Sequence, residues 1–305
     1  MSILPKENIS NQFSEEKYLN IFVLSPNSEV VYDGIVYHYT SSAVLPNILK
    51  DKICIRFTDY RFLNDMSEGS DIPALFKDIC NDLYETKIIS EELFNEIKKQ
   101  NDIFDNSENS LYVACFSMNG DSLPMWNYYL KDNKYNGYSI GFDFKKMQYA
   151  DGLDCIKVLY SFKEVKSIIS SGIRSIIHEN SLFEQNDLEN KSKYLIRLLK
   201  KSLLIYKKEC FSHEKEVRLI LDLDFVTDNE HDFICDKQIK HFEKNGILIP
   251  YCDVIWNNKD IFKEICYAPT MNPEQTELGI RSLLKSFGYD KNEYKLFKSK
   301  IPVRY

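Results

Sequence analysis

Apolar and polar positions along the chain alternate in short runs and fall into helical periodicity in longer ones, which separates strands from helices. Ile35 to Tyr39 and Ile53 to Phe57 read as strands, and Ser41 to Lys50 between them has the cap and spacing of a short helix interrupted at Pro46. Asp71 to Tyr84 and Ser90 to Gln100 have helical spacing, with Ser90 as N-cap and Glu91 and Glu92 in the first turn, where the helix dipole favours anions. Leu111 to Ser117, Gly137 to Phe144 and Cys155 to Tyr160 read as strands, and Phe162 to Lys208 as mostly helical. Glu216 to Phe225, Ile247 to Ile255 and Ile261 to Tyr267 are further strands. Asn272-Pro273-Glu274 opens a last helix, and Ile301 to Tyr305 closes the chain as a strand. No repeat or linker interrupts this order. The expected architecture is one α+β domain over residues 1–305, with helical insertions at about 67–105 and 162–208.

Composition narrows the class. The chain has 305 residues, 44% hydrophobic and 28% charged, which is ordinary globular usage and excludes disordered, collagen-like and coiled-coil classes. A net charge of -7 disfavours unspecific grip on a polyanion. No stretch approaches the roughly 18 uninterrupted apolar residues of a membrane span. Met1 to Ser14 lacks the order of a signal peptide, so the cytosol is the expected compartment and no membrane partner is expected. Eight cysteines are scattered without a CxxC pair and mostly within apolar runs, which points to buried thiols and not to a disulfide framework or zinc site. Dinucleotide fingerprints of the GxGxxG type, phosphate-binding GxxxxGK loops and HExxH are absent, and the five histidines have no ligand-like spacing. No metal is expected.

Several constellations could carry chemistry. Glu214 and Glu216 flank Lys215 where the chain enters a strand; residues two apart on a strand share a face, so the carboxylates would lie side by side. The competing reading is a solvated strand end neutralised by Lys215 and Arg218. Alternation sends Tyr37 and Tyr39 to one face and His38 to the other, and these flat rings could stack on a heterocycle. Asp121 to Tyr129 places Trp126 beside Tyr128 and Tyr129, read either as a ligand platform or as a helix buried through Met125, Trp126 and Tyr129. Arg56 to Asp59 and Asn64 to Glu68 form polar segments that turn chemistry alone would explain.

The order Tyr37-His38-Tyr39-Thr40-Ser41, Arg56 to Asp59, Asn64-Asp65, Cys115-Phe116-Ser117, Asp121 to Tyr129, Gly137 to Asp143 and Phe211 to Leu219 resembles a widespread bacterial family, domain of unknown function 2971. Its most specific parts are Met125, Trp126 and Tyr129, and Glu214-Lys215-Glu216-Val217-Arg218. That family is in turn similar to ADP-ribosyltransferases. The resemblance implies an ADP-ribosyltransferase-like core of antiparallel strands and NAD as substrate. It also implies transfer of ADP-ribose to a macromolecule (protein or nucleic acid), or NAD hydrolysis, in a bacterial toxin or phage-defence role with a cognate antitoxin or defence partner. Glu216, Glu214 and His38 would be catalytic. Tyr37, His38, Tyr39, Thr40, Arg56, Asn64, Ser117, Trp126 and Tyr129 would hold the dinucleotide. His38 and Glu216 are expected to line one cleft, with Trp126 nearby. The alternative is a non-catalytic protein that keeps the fold and binds a partner or nucleotide.

Overall fold

In the computed structural model, residues 32–63, 69–105, 110–130, 136–148, 153–178, 188–224, 233–235, 237–269 and 271–302 are described. The described residues group into two compact units, those within 69–105 and 156–210 in one and those within 32–63, 110–155 and 211–302 in the other. The helical stretches expected as insertions in a single domain thus fall in a compact unit of their own.

In that helical unit the described helices are α2 (Ile72–Glu85), α3 (Glu91–Asp105), α6 (Phe162–His178) and α7 (Leu188–Ser202). Ser90 caps α3, its Oγ accepting from the Leu93 amide at 3.2 Å. Helix α7 packs on α2, α3 and α6, and its Leu195 and Leu199 are buried. Tyr84 and Phe94 stack at 4.5 Å between ring centroids.

The second unit carries a mixed α+β arrangement dominated by a large, mostly antiparallel sheet. Its strands are β1 (Ile35–Ser41), β2 (Ile53–Asp59), β3 (Leu111–Ser117), β4 (Gly137–Asp143), β5 (Leu153–Lys157) and β6 (Glu216–Asp222). They continue with β7 (Phe233–Cys235), β8 (Lys240–Lys244), β9 (Ile247–Trp256), β10 (Phe262–Tyr267) and β11 (Lys295–Lys298). Neighbours run β11-β10-β4-β1-β3-β2-β9-β7, with β6 on β3, β5 on β6 and β8 on β9; β10 and β11 are parallel. Its described helices are α1 (Leu45–Leu49), α4 (Leu123–Leu130), α5 (Phe144–Gln148) and α8 (Pro273–Ser286).

Strand β3 is the hinge of the sheet. One edge pairs with β6 along its whole length, from Leu111 with Asp222 to Ser117 with Glu216. The other edge is divided, with Ser117 opposite Tyr37 of β1, and Val113 and Tyr112 opposite Thr58 and Asp59 of β2. Because directly paired residues share a face, one face carries Val36, His38, Phe57, Phe116, Phe142 and Val217. These are buried apart from the part-buried His38, and Phe116 packs its ring on Phe142 and Phe144. The opposite face carries Tyr37, Tyr39, Ser117, Glu216, Arg218 and Glu264, a polar set on which α4 lies.

The sequence placed most of these elements but misjudged some. Pro46 does not interrupt its helix; it occupies the first turn of α1, where a missing amide hydrogen costs nothing. Phe144 leaves the strand to begin α5. The last strand is Lys295–Lys298; Ile301 lies outside any strand, and residues 303–305 lie outside the described residues. Strands β7 and β8 were not anticipated. Cysteine usage is more varied than expected: Cys80, Cys155, Cys252 and Cys266 are buried, Cys54, Cys115 and Cys235 half-buried, and Cys210 exposed, all as free thiols. Among the described residues no helix is long and apolar enough to cross a membrane.

Candidate functional site

The polar face of the sheet is built around the entry to β6. Glu209–Glu214 form a tight 3-10 stretch, and Lys215 then takes a left-handed backbone with φ of 45° before Glu216 opens the strand. Strand alternation therefore does not govern how Glu214 and Glu216 lie relative to each other. Glu214 lies outside the strand, and the sharp turn at Lys215 breaks the extended backbone that the alternation argument requires. Ser117 closes this turn: its Oγ donates to the Glu214 carbonyl at 2.6 Å and accepts from the Asn119 amide at 3.1 Å, while the Met118 amide donates to the Lys215 carbonyl at 2.9 Å.

Neither acid belongs to a solvated strand end. Glu214 and Glu216 are 8% and 5% exposed, and Arg218 is wholly buried. Arg218 Nε donates to Glu216 Oε1 at 2.8 Å and Nη2 to Oε2 at 3.1 Å, a two-pronged grip that fixes the carboxylate rotamer. Sequence reading treated Arg218 as a surface counter-charge. Its position two residues after Glu216, on the same strand face, was the available signal for a buried pair.

Tyr129 of α4 lies within electrostatic reach of this pair. It stacks on Tyr39 with centroids 6.3 Å apart and keeps 39% of its surface exposed. Its phenol is nevertheless pushed well above the ordinary tyrosine range, first by desolvation and then by the negative charges of Glu216 and Glu214, with Arg218 opposing. The residue thus keeps part of its surface exposed while its phenol feels the charge of both carboxylates. Next to it on α4, Tyr128, 60% exposed, stacks on His213 at 5.6 Å.

Tyr37 is held by two glycines. A Cβ on Gly141 would lie 2.7 Å from Glu264 Cγ and 3.2 Å from Tyr37 Cε1, and one on Gly120 only 2.3 Å from Tyr37 Cε1. With no side chain at either position, the Tyr37 ring crosses the neighbouring strand and its hydroxyl donates to Glu264 Oε1 at 2.7 Å. Burial and then this bond to a carboxylate push the Tyr37 phenol upward.

Other expected site residues are core. Trp126 is fully buried, donates from Nε1 to Asp121 Oδ1 at 2.8 Å and meets Tyr39 edge-on at 4.9 Å. Tyr39, 5% exposed, donates to the Asn119 carbonyl at 2.8 Å and accepts from the Ser122 amide at 3.1 Å. Asp121 also accepts from Ser299 Oγ at 2.6 Å and from the Lys300 amide at 2.8 Å, tying the loop before α4 to the end of the chain. These aromatics set the position of α4 and offer no open ring to a ligand. Asp59, fully buried, caps the following turn and is gripped by Arg61, which is turn chemistry. Arg56 lies exposed on β2, and Asn64 lies outside the described residues.

Residues 125–219 match a family described as a protein of unknown function, DUF2971. This span runs from the start of α4 into β6 and includes Tyr129, Glu214, Glu216 and Arg218. No curated protein and no solved structure matches the chain.

The expected pairing of His38 with Glu216 in one cleft is overturned by the register. Tyr37 pairs with Ser117 and Ser117 with Glu216, so Glu216 shares the Tyr37 face, whereas His38 points to the other. There His38 lies edge-on to Phe116 at 5.9 Å, with Nδ1 3.5 Å from the Cys115 carbonyl oxygen. Thr40, two residues on and buried, shares that face. Burial lowers the His38 pKa, so the folded protein holds the ring neutral. As pH falls below about 6.5 the unfolded chain takes up a proton that the native state resists, so this residue makes stability fall with falling pH, by at most about 1.4 kcal/mol per pH unit. His38→Leu is expected to flatten the melting temperature between pH 7 and 5 relative to wild type; an unchanged slope would show that His38 is not the group responsible.

Proposed function

We propose that the polar face around Glu216 is an NAD-consuming site, releasing nicotinamide and passing ADP-ribose to a macromolecular acceptor or to water. The observation that carries this reading is the buried Glu216 carboxylate, oriented by Arg218, with Glu214 also buried and the charges of both acids felt at the Tyr129 phenol. Breaking the nicotinamide bond leaves its electron pair on the departing ring nitrogen and positive charge on the ribose. A preorganised carboxylate that accepts a hydrogen bond from the ribose 2-hydroxyl stabilises that charge as it develops. The acceptor oxygen or nitrogen then forms the new bond and gives up a proton, for which Glu214 is the nearby base. Tyr129 offers a flat wall to the leaving ring. His38, Tyr39, Thr40 and Trp126 act in this scheme only by shaping the sheet and α4. The family resemblance adds a bacterial toxin or phage-defence setting.

A second reading has its own support. Arg218 occupies both oxygens of Glu216, an arrangement that also suits a structural pair in a nucleotide- or partner-binding protein that lacks catalysis. Both readings lead to binding measurements first. A ligand that binds the native state alone at a hundredfold excess over its Kd adds about 2.7 kcal/mol of stability. NAD and ADP-ribose are therefore expected to raise the melting temperature by several degrees, and AMP by less. A melting curve unmoved by saturating NAD would remove NAD as the ligand.

A further inference from the structure

Arg56 of β2 is exposed, yet its guanidinium is not free to wander. Its Cζ lies 4.0 Å from the centroid of the Tyr251 ring and 4.5 Å from that of Phe242, so aromatic rings from β9 and β8 both seat the guanidinium. The residue directly opposite on β9 is Asp253, the natural counter-charge, but Asp253 Oδ2 is taken by Lys240 Nζ at 3.2 Å. Among the described residues no carboxylate or carbonyl engages the Arg56 guanidinium. An arginine seated on aromatic rings by cation–π attraction gives them no N–H hydrogen bond that a ligand would have to displace, and part of its ordering cost is met before any ligand arrives.

That combination is a receptor for a tetrahedral oxyanion. We propose that Arg56, seated on Phe242 and Tyr251, is a phosphoryl-binding subsite that takes the pyrophosphate of a dinucleotide. Naming a dinucleotide rests on the NAD-consuming reading above, whereas the phosphoryl chemistry does not. Thr58, two residues from Arg56, pairs with Val113, and Val113 lies on the same face of β3 as Ser117. Arg56 and Glu216 therefore project from one face of the sheet. The chain as a whole carries a net charge of -7, so a bound anion needs a locally oriented cation of this kind.

Isothermal titration with inorganic pyrophosphate, and separately with ADP-ribose, tests the subsite in the intact protein. Wild type should bind pyrophosphate saturably and more weakly as salt rises. Arg56→Met should weaken both ligands about tenfold or more, the loss of charge-assisted hydrogen bonds. Arg56→Lys should retain part of the affinity, because charge survives without the fork. Phe242→Leu, which removes no charge, should also weaken binding by loosening the guanidinium, an effect that simple surface charge would not produce. Equal pyrophosphate affinity in wild type and Arg56→Met, or none in wild type, overturns the subsite. Pyrophosphate binding that depends on Arg56 in a protein that releases no nicotinamide supports the subsite and overturns the NAD-consuming reading alone.

Discussion

Arg218→Met is expected to lower the melting temperature by roughly 10 °C, the largest stability effect of any single change discussed. Arg218 is 0% exposed and its guanidinium meets both oxygens of Glu216, which is itself 5% exposed. Removing one member of such a pair leaves the other charge buried without its main compensation and typically costs about 3–5 kcal/mol. Removing both charges together avoids that penalty, because the desolvation cost of the pair disappears with it. Glu216→Met combined with Arg218→Met should therefore recover much of the lost stability. A single Arg218→Met protein that melts within a degree or two of wild type would show that the pair contributes little to the sheet.

The second large effect concerns turnover. Glu216→Gln keeps the size of the side chain and one acceptor oxygen for Arg218, but it turns an amide group toward the guanidinium and deletes the negative charge. The fold should survive at a cost of about 1–3 kcal/mol, the usual price of a mismatched buried hydrogen bond. Nicotinamide release should fall about 100-fold or more, in line with the loss of a preorganised electrostatic group at a charge that develops in the transition state. Affinity for NAD should change little, since that charge acts mainly beyond the ground state.

How far the sequence revealed this arrangement depended on how local each feature is. Strand β3 was legible as Leu111 to Ser117 because its apolar run is bounded by polar turns, and β1 and β6 were legible for similar reasons. The missed strands are short: Phe233–Cys235 spans three residues, and the charged Lys240–Lys244 and Lys295–Lys298 pair along few residues at the margins of the sheet, where lysine and glutamate are tolerated and hydrophobic alternation fades. The turn at Lys215 could not be read because a left-handed lysine has no sequence signature of its own.

The candidate site shows the same limit. Alternation correctly separated His38 from Tyr37 and Tyr39, but whether His38 meets Glu216 depends on the register of β1 on β3 and of β3 on β6, which joins residues about 80 and 100 positions apart. Grouping His38 with the tyrosines in one ligand ring was already in tension with that alternation. Trp126 could be read either way, and Asp121 decided it: a carboxylate that takes the indole N–H lets the whole ring enter the core. The burial of Arg218 was not legible because arginine is seldom buried, and its two-pronged bond to Glu216 is what makes the position tolerable.

The most direct test of the central claim is nicotinamide released from NAD by wild type, Glu216→Gln and His38→Leu, with the melting curve of each recorded on the same samples. Wild type and His38→Leu should release nicotinamide at similar rates, and Glu216→Gln about 100-fold more slowly while still unfolding cooperatively. Release by Glu216→Gln at the wild-type rate, or none from wild type, would contradict an NAD-consuming site built on Glu216.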